Sequence, residues 1–148
     1  MQRSLILIKP DAMQRGLKKS LMLDFMNQGF LITRERELVV NKELILAHYK
    51  DVINDNPSVP LTEMFLAEYV GQTITAIELS SPNPTFVQDV RTFIGATDPA
   101  QADPQSLRGR YGDDSMAASR AERRVVRNLV HASDSDAAAS KEIALWFD

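Results

Sequence analysis

The spacing of apolar residues predicts an α+β fold for this 148-residue chain. Three observations carry that reading. Short apolar or alternating runs, suited to strands, are separated by segments with helical spacing. The elements follow in the order β, α, β, α, α, β, α, long loop, β, α, with no repeat and no second core. No Walker loop or GxGxxG turn is present, so any phosphate would have to be held by side chains instead of a glycine cradle.

Ser4-Leu5-Ile6-Leu7-Ile8 is a continuous apolar run, as expected of a central strand buried on both faces. Pro10 ends it and leaves Lys9 at the strand's mouth. Leu17, Leu21, Met22, Phe25 and Met26 recur at helical spacing up to Asn27, and Gly29 supplies the stop. Phe30 to Val40 reads as a long strand with Arg34 to Glu37 facing solvent. Asn41 then caps a helix that carries Leu44, Ile45 and Tyr49 on one face, with His48 beside them as a structural residue.

Asp51 to Pro60 is rich in turn residues and reads as a loop. A helix is expected from Leu61 to Tyr69, ended by Gly71, and Thr73 to Leu79 alternates as a strand. Ser80 to Pro84 turns into a helix with Phe86, Val87, Val90, Phe93 and Ile94 on its buried side. Ala96 to Arg124 is the longest irregular stretch, of a length that in compact domains is usually functional or disordered. Ala117 to Arg124 has the makings of one or two exposed helical turns. Arg127 to Ala132 is the last strand and Ala137 to Trp146 the last helix. Two split β-α-β units of this kind give a ferredoxin-like βαββαβ layout, an antiparallel sheet with helices covering it on one side. Residues 1–148 then form one domain.

Bulk properties narrow the function. The apolar fraction of 44% and charged fraction of 25% are those of an ordinary globular protein. A net charge of -3 argues against a nucleic-acid partner, which needs a broad basic surface. It leaves an anionic small ligand open, because a few local Arg and Lys outweigh a mildly acidic total. With no cysteine and two histidines, thiolate chemistry and a multi-histidine zinc site are both disfavoured. The first apolar run is too short for a signal peptide and nothing later approaches a membrane span, so a cytoplasmic protein without a membrane partner is expected.

The stretch Asn128-Leu129-Val130-His131-Ala132-Ser133-Asp134-Ser135 delivers a histidine to the end of a short strand, just before a helix that Ser135 can cap. A histidine is readily set as a nucleophile or proton carrier near neutral pH. A structural role is the alternative for it, as solvated surface charge is for Arg91 and Arg108, a half-buried core position for Tyr49, and a helix-surface carboxylate for Glu142.

Together with Ile8-Lys9-Pro10-Asp11, Gln14-Arg15-Gly16-Leu17, Gly95-Ala96-Thr97-Asp98-Pro99, Leu107-Arg108-Gly109 and Lys141-Glu142-Ile143-Ala144-Leu145-Trp146-Phe147, that stretch resembles the nucleoside diphosphate kinase family. The matches run in family order from residue 4 to residue 147. The resemblance implies transfer of the terminal phosphate of a nucleoside triphosphate to a nucleoside diphosphate, by a ping-pong route through a phosphohistidine on His131. It implies that Glu142 bonds the other ring nitrogen and that Ser133 supports that carboxylate. Lys9 and Tyr49 would hold the transferring phosphoryl group, Arg91, Thr97 and Arg108 the other phosphates, and Asn128 the sugar hydroxyl. Mg2+ on the nucleotide, no dedicated protein metal site and a homo-oligomer are implied as well.

Three departures stand against the family pattern. The region Asn54 to Leu61 lacks the family's base-stacking aromatic and is longer, which leaves Pro60 or Leu61 as the apolar surface. The interval from Arg108 to Asn128 is longer too, with Gly112 to Arg124 as the insertion. The sequence also stops at Asp148, where relatives commonly continue. Ala132 in place of a glycine is a small change. The missing aromatic favours an alternative, a nucleotide-binding regulatory or interaction protein of the same fold with weak or no transferase activity.

Overall fold

The computed structural model describes the whole chain, Met1–Asp148. Strand β1 (Gln2–Ile8) is followed by a short helix α1 (Pro10–Gln14) and then α2 (Lys18–Asn27). Strand β2 (Leu31–Val39) leads to α3 (Lys42–His48), α4 (Lys50–Asp55) and α5 (Leu61–Tyr69). After β3 (Thr73–Ser81) come α6 (Phe86–Ile94), a 3-10 turn (Pro99–Gln101), α7 (Leu107–Tyr111), α8 (Met116–Ala121), β4 (Val130–Ala132) and α9 (Asp136–Phe147). The strands form one sheet in the order β2-β3-β1-β4, and every neighbouring pair is antiparallel. This is the α+β, ferredoxin-like arrangement that the element order predicts.

The sheet is covered on both faces, not one. Leu5 to Ile8 are wholly buried, and their side chains alternate between two cores. Ile6 and Ile8 join Leu21, Phe25, Phe86 and Val90 from α2 and α6. Leu5 and Leu7 join Ile45, Phe65, Tyr69 and Trp146 from α3, α5 and α9. The unbroken apolar run of β1 is the sequence counterpart of this two-sided burial, since a strand with one wet face alternates instead.

Three further expectations are corrected. Residues 50–55 are helical, because Tyr49 starts a new turn directly after α3 and its carbonyl accepts from Ile53 N at 2.9 Å. Ile53 packs on the second core, and the Asn56 side chain donates back to the Val52 carbonyl at 2.8 Å. Strand β4 begins at Val130 instead of Arg127, because Leu129 has a left-handed backbone (φ 77). The stretch from Ala96 to Arg124 is interrupted by three short helical segments, the 3-10 turn, α7 and α8. Within it α8 is capped by Ser115 and buries Ser119, so its turns are only partly exposed. No helix is long and apolar enough to cross a membrane.

Two-sided burial makes a specific prediction. Ile6→Ala and Leu7→Ala, on opposite faces of β1, should each lower unfolding free energy by about 2–5 kcal/mol in urea titrations, the usual loss for emptying a closely packed aliphatic site. If either substitution costs under about 1 kcal/mol, that face of the sheet is not closed by helices.

Candidate active site

The site is built on a strained turn. Val130 N donates to the Asn128 carbonyl at 2.9 Å around Leu129, which closes a γ-turn with positive φ at its centre. This form is rare and unfavourable for a residue with a side chain, by roughly 1–3 kcal/mol. Several bonds hold it. Leu129 N donates to Asp11 Oδ2 at 3.1 Å, Lys9 N donates to the Leu129 carbonyl at 2.9 Å, and the Leu129 side chain is wholly buried. Arg108 adds three more bonds, donating to the carbonyls of Asn128 (3.0 Å), Gly95 (3.0 Å) and Val130 (2.6 Å). Gly95 can offer that carbonyl because it has φ 97 and because Ser106 occupies the space a Cβ would need.

One residue beyond the turn, His131 pairs with Leu7 in the sheet and turns its ring toward Glu142 on α9. His131 Nε2 lies 3.0 Å from Glu142 Oε1. Ser133 Oγ donates to the same oxygen at 2.8 Å and accepts from Leu5 N at 2.9 Å. The proton count assigns the tautomer. A carboxylate only accepts, so the proton of the His131 contact sits on Nε2, and in the neutral ring Nδ1 keeps its lone pair.

His48 stands edge-on to His131, with ring centroids 4.5 Å apart. Trp146 Nε1 donates to His48 Nδ1 at 2.9 Å. Burial, then the neighbouring His131 and Lys9, push the His48 imidazole well below its ordinary value near 6.5. His48, His131 and Glu142 have ligand atoms within 4.8 Å of one another. They do not make a transition-metal site. The Trp146 donor forces the His48 proton onto Nε2, and the facing nitrogen and oxygen of His131 and Glu142 already bond each other.

Above this group opens a cleft of about 660 Å³. Lys9, Tyr49, Arg91, Thr97, Arg108, Asn128, His131 and Glu142 all line it, and Ser133 lies buried behind Glu142. The candidate residues read from the sequence therefore meet at one place. Lys9 is buried, and its ammonium donates to Asn128 Oδ1 at 2.8 Å and to the Val126 carbonyl at 3.2 Å. Burial lowers its pKa to about 8, offset in part by Asp11. Arg108 is likewise lowered to about 10, first by burial and then by Arg91. Asn128 Nδ2 donates to the Thr97 carbonyl at 3.0 Å, so this amide joins the lysine to the Thr97 loop. Tyr49 Oη lies 3.0 Å from Tyr69 Oη, and burial pushes the Tyr49 phenol up to about 12, so it stays a neutral hydroxyl.

Some functional groups were not legible as such. His48 lines the cleft beside His131, and Asp11, Tyr69 and Val126 bond residues of the turn and the cleft through contacts that spacing does not encode. Val52 on α4, and neither Pro60 nor Leu61, gives the cleft its apolar wall on that side. The signal available was Val52's position three residues after Tyr49, on the same face of a continued helix.

An imidazole with one nitrogen fixed and the other free, facing unneutralised cations, is equipment for moving a charged group between anions. Comparison with known proteins names the family. The family model described as nucleoside diphosphate kinase matches residues 2–148. A nucleoside diphosphate kinase of Pelotomaculum thermopropionicum is 33% identical over 147 residues, covering 99% of this chain and 88% of that protein. One from Streptococcus pneumoniae is 33% identical over 148 residues, covering 99% of this chain and all of the relative. Among solved structures, the Borrelia burgdorferi nucleoside diphosphate kinase, a transition-state mimic with bound vanadate and ADP, has a TM-score of 0.91 at 27% identity, covering 99% of this chain and 87% of that one. The enzyme from Pyrobaculum aerophilum has a TM-score of 0.86 at 26% identity, covering 99% and 96%. The chain belongs to the nucleoside diphosphate kinase family, a family of phosphotransferases.

Proposed function

We propose that the chain, acting as one domain, moves the terminal phosphoryl group of a nucleoside triphosphate to a nucleoside diphosphate in two half-reactions through His131. The observation that supports this most is the engagement of His131 Nε2 by Glu142, which leaves Nδ1 unprotonated. In the first half-reaction the Nδ1 lone pair attacks the γ-phosphorus, the bond to the β–γ bridging oxygen breaks, and the diphosphate departs with that electron pair. In the second, a terminal β-phosphate oxygen of the acceptor attacks the same phosphorus and the N–P bond breaks. One nucleotide leaves before the next binds.

Glu142 holds the Nε2 proton and stabilises the ring as it becomes cationic on phosphorylation, while Ser133 keeps that carboxylate in line. Little covalent work is left for the other residues, so positioning and charge dominate. Lys9 and the neutral Tyr49 hydroxyl are proposed to hold the moving phosphoryl group. Arg91, Thr97 and Arg108 hold the remaining phosphates. Each cation–phosphate contact gains around 4 kcal/mol at an effective dielectric of ~20, before desolvation. Asn128, already bonded to Lys9, is the assigned contact for the sugar hydroxyl.

Magnesium enters as part of the nucleotide substrate and neutralises phosphate charge. The cleft fits that role: its only clustered ligand atoms belong to His48, His131 and Glu142, which are committed elsewhere, and magnesium prefers oxygen ligands. We place the activity on cytoplasmic nucleotides. A homo-oligomer is proposed as well; β2 leaves one sheet edge open, with Leu31 and Val39 more than half exposed on it.

Incubation with terminally labelled ATP and no acceptor should put acid-labile label on the protein, discharged by any nucleoside diphosphate. His131→Ala should take up none, and Glu142→Gln should label about 10²-fold more slowly, in the range expected for a positioned proton-handling group. Absence of label on the unaltered chain defeats the reading. With Val52 where a stacking aromatic is missing, nucleotide KM should lie near the upper end of the usual enzymatic range, on the order of 1 mM, while single-turnover labelling at saturation stays fast. KM values on the order of 10 μM would show that the base is gripped by other means.

A further inference from the structure

We propose that the Asp114–Arg124 ion pair is a positioning clamp for Lys9, acting through the carbonyl of Val126. The clamp lies outside the cleft, in and beside the insertion between Arg108 and Asn128. Its geometry is bidentate: Arg124 Nη1 to Asp114 Oδ2 is 2.7 Å and Nη2 to Oδ1 is 2.9 Å, with both side chains mostly buried. Such a fork fixes direction as well as distance.

What the clamp holds is the backbone on either side of Val126. Arg124 Nη1 also donates to the Val125 carbonyl at 3.2 Å, and Asp114 Oδ2 accepts from Arg127 N at 2.8 Å. Arg127 is tied further to Glu68 of α5 at 3.1 Å. Between these two tethers the Val126 carbonyl accepts from Lys9 Nζ at 3.2 Å. The lysine's second bond goes to Asn128 Oδ1, so two of its three protons are committed and the third is aimed by them. Other braces keep the insertion in place: Met116 N donates to Asp98 Oδ1 at 3.2 Å, and Arg15 donates to the Tyr111 carbonyl at 2.8 Å. Asp114 and Arg124 never touch substrate in this arrangement; they set where the ammonium points.

The charged groups facing Lys9 are Asp11, Glu68 and Asp114, which favour the ammonium, and Arg108, which opposes it; His48, kept neutral by burial, adds no charge there. Losing the Val126 acceptor leaves a buried ammonium with one bond fewer, so the neutral amine is favoured and the pKa falls from about 8. The inference rests on the proposed contact of Lys9 with phosphate, and the experiment separates the two.

The test uses the full chain labelled with 13Cε-lysine. Lys9 is assigned by Lys9→Arg, and its titration is followed by NMR in the unaltered protein and in Arg124→Gln, which breaks the fork but keeps the Asp114 carboxylate, so that a fall in the midpoint cannot come from a lost negative charge. The expected result is a downward move of the Lys9 midpoint by roughly half a unit or more, with the other lysines unmoved. The alkaline limb of kcat/KM should move down with it, since Lys9 acts as the ammonium. An unmoved or raised Lys9 midpoint in folded Arg124→Gln overturns the clamp. A moved midpoint with an unmoved limb supports the clamp and counts against the phosphate contact of Lys9. If Arg124→Gln does not fold, Arg124→Lys carries the same test, because it keeps both charges and loses the bidentate fork; again an unmoved midpoint overturns the proposal.

Discussion

The left-handed backbone at Leu129 is the constraint on which the rest of the site depends. It keeps the last strand from starting before Val130, so that only three residues pair with β1, His131 in their middle. The strain is tolerated because β1 and the turn after it supply fixed partners on one side, Lys9 N and the Asp11 carboxylate, and Arg108 supplies a fan of donors on the other. These partners belong to the candidate apparatus itself or sit beside it. The same residues that shape the turn therefore define the cleft, and the energy stored in the turn is balanced by groups that would otherwise be free to wander.

The cleft's charge follows a second rule. Lys9 is buried and Arg108 half-buried, yet neither is bonded to a carboxylate. Lys9 bonds a carbonyl and an amide oxygen, and Arg108 bonds three carbonyls. Neutral acceptors satisfy the donors without cancelling the charge, so positive potential remains for an anionic ligand. Arg124 shows the opposite choice. It is paired with Asp114 and Glu122, its charge is neutralised locally, and its part is mechanical. Of the carboxylates that line the cleft (Asp103, Asp134 and Glu142), Glu142 is the one held by His131 and Ser133.

The sheet and its helices were legible in the sequence because burial writes itself as periodicity. The unbroken run Leu5 to Ile8, the alternation in β3 and the helical stripe of α6 each correspond to a packed face. That run also implied a sheet covered on both sides, although the split β-α-β reading alone gave one. The candidate set was legible only as a constellation; singly, Arg91, Arg108 and Glu142 carry no mark of their neighbours. What escaped was long-range and backbone-mediated. Nothing local in Asn128-Leu129-Val130 announces a positive φ at leucine, which exists because Asp11 and Arg108 impose it. The Asn- and Asp-rich run after Tyr49 has turn composition, yet Ile53 finds the second core and residues 50–55 coil instead. The place of His48 beside His131 had no local sign, because its ring is held by Trp146, 98 positions away.

The central claim is that Glu142 fixes His131 so that Nδ1 is the nucleophile. The most direct measurement is to phosphorylate the protein carrying 15N-labelled histidine with a nucleoside triphosphate. The ring nitrogen bonded to phosphorus is then read from its 31P–15N coupling. The predicted result is phosphorus on Nδ1 of His131, with Nε2 still protonated and bonded to Glu142. Phosphorus on Nε2, or on any residue other than His131, would contradict the account.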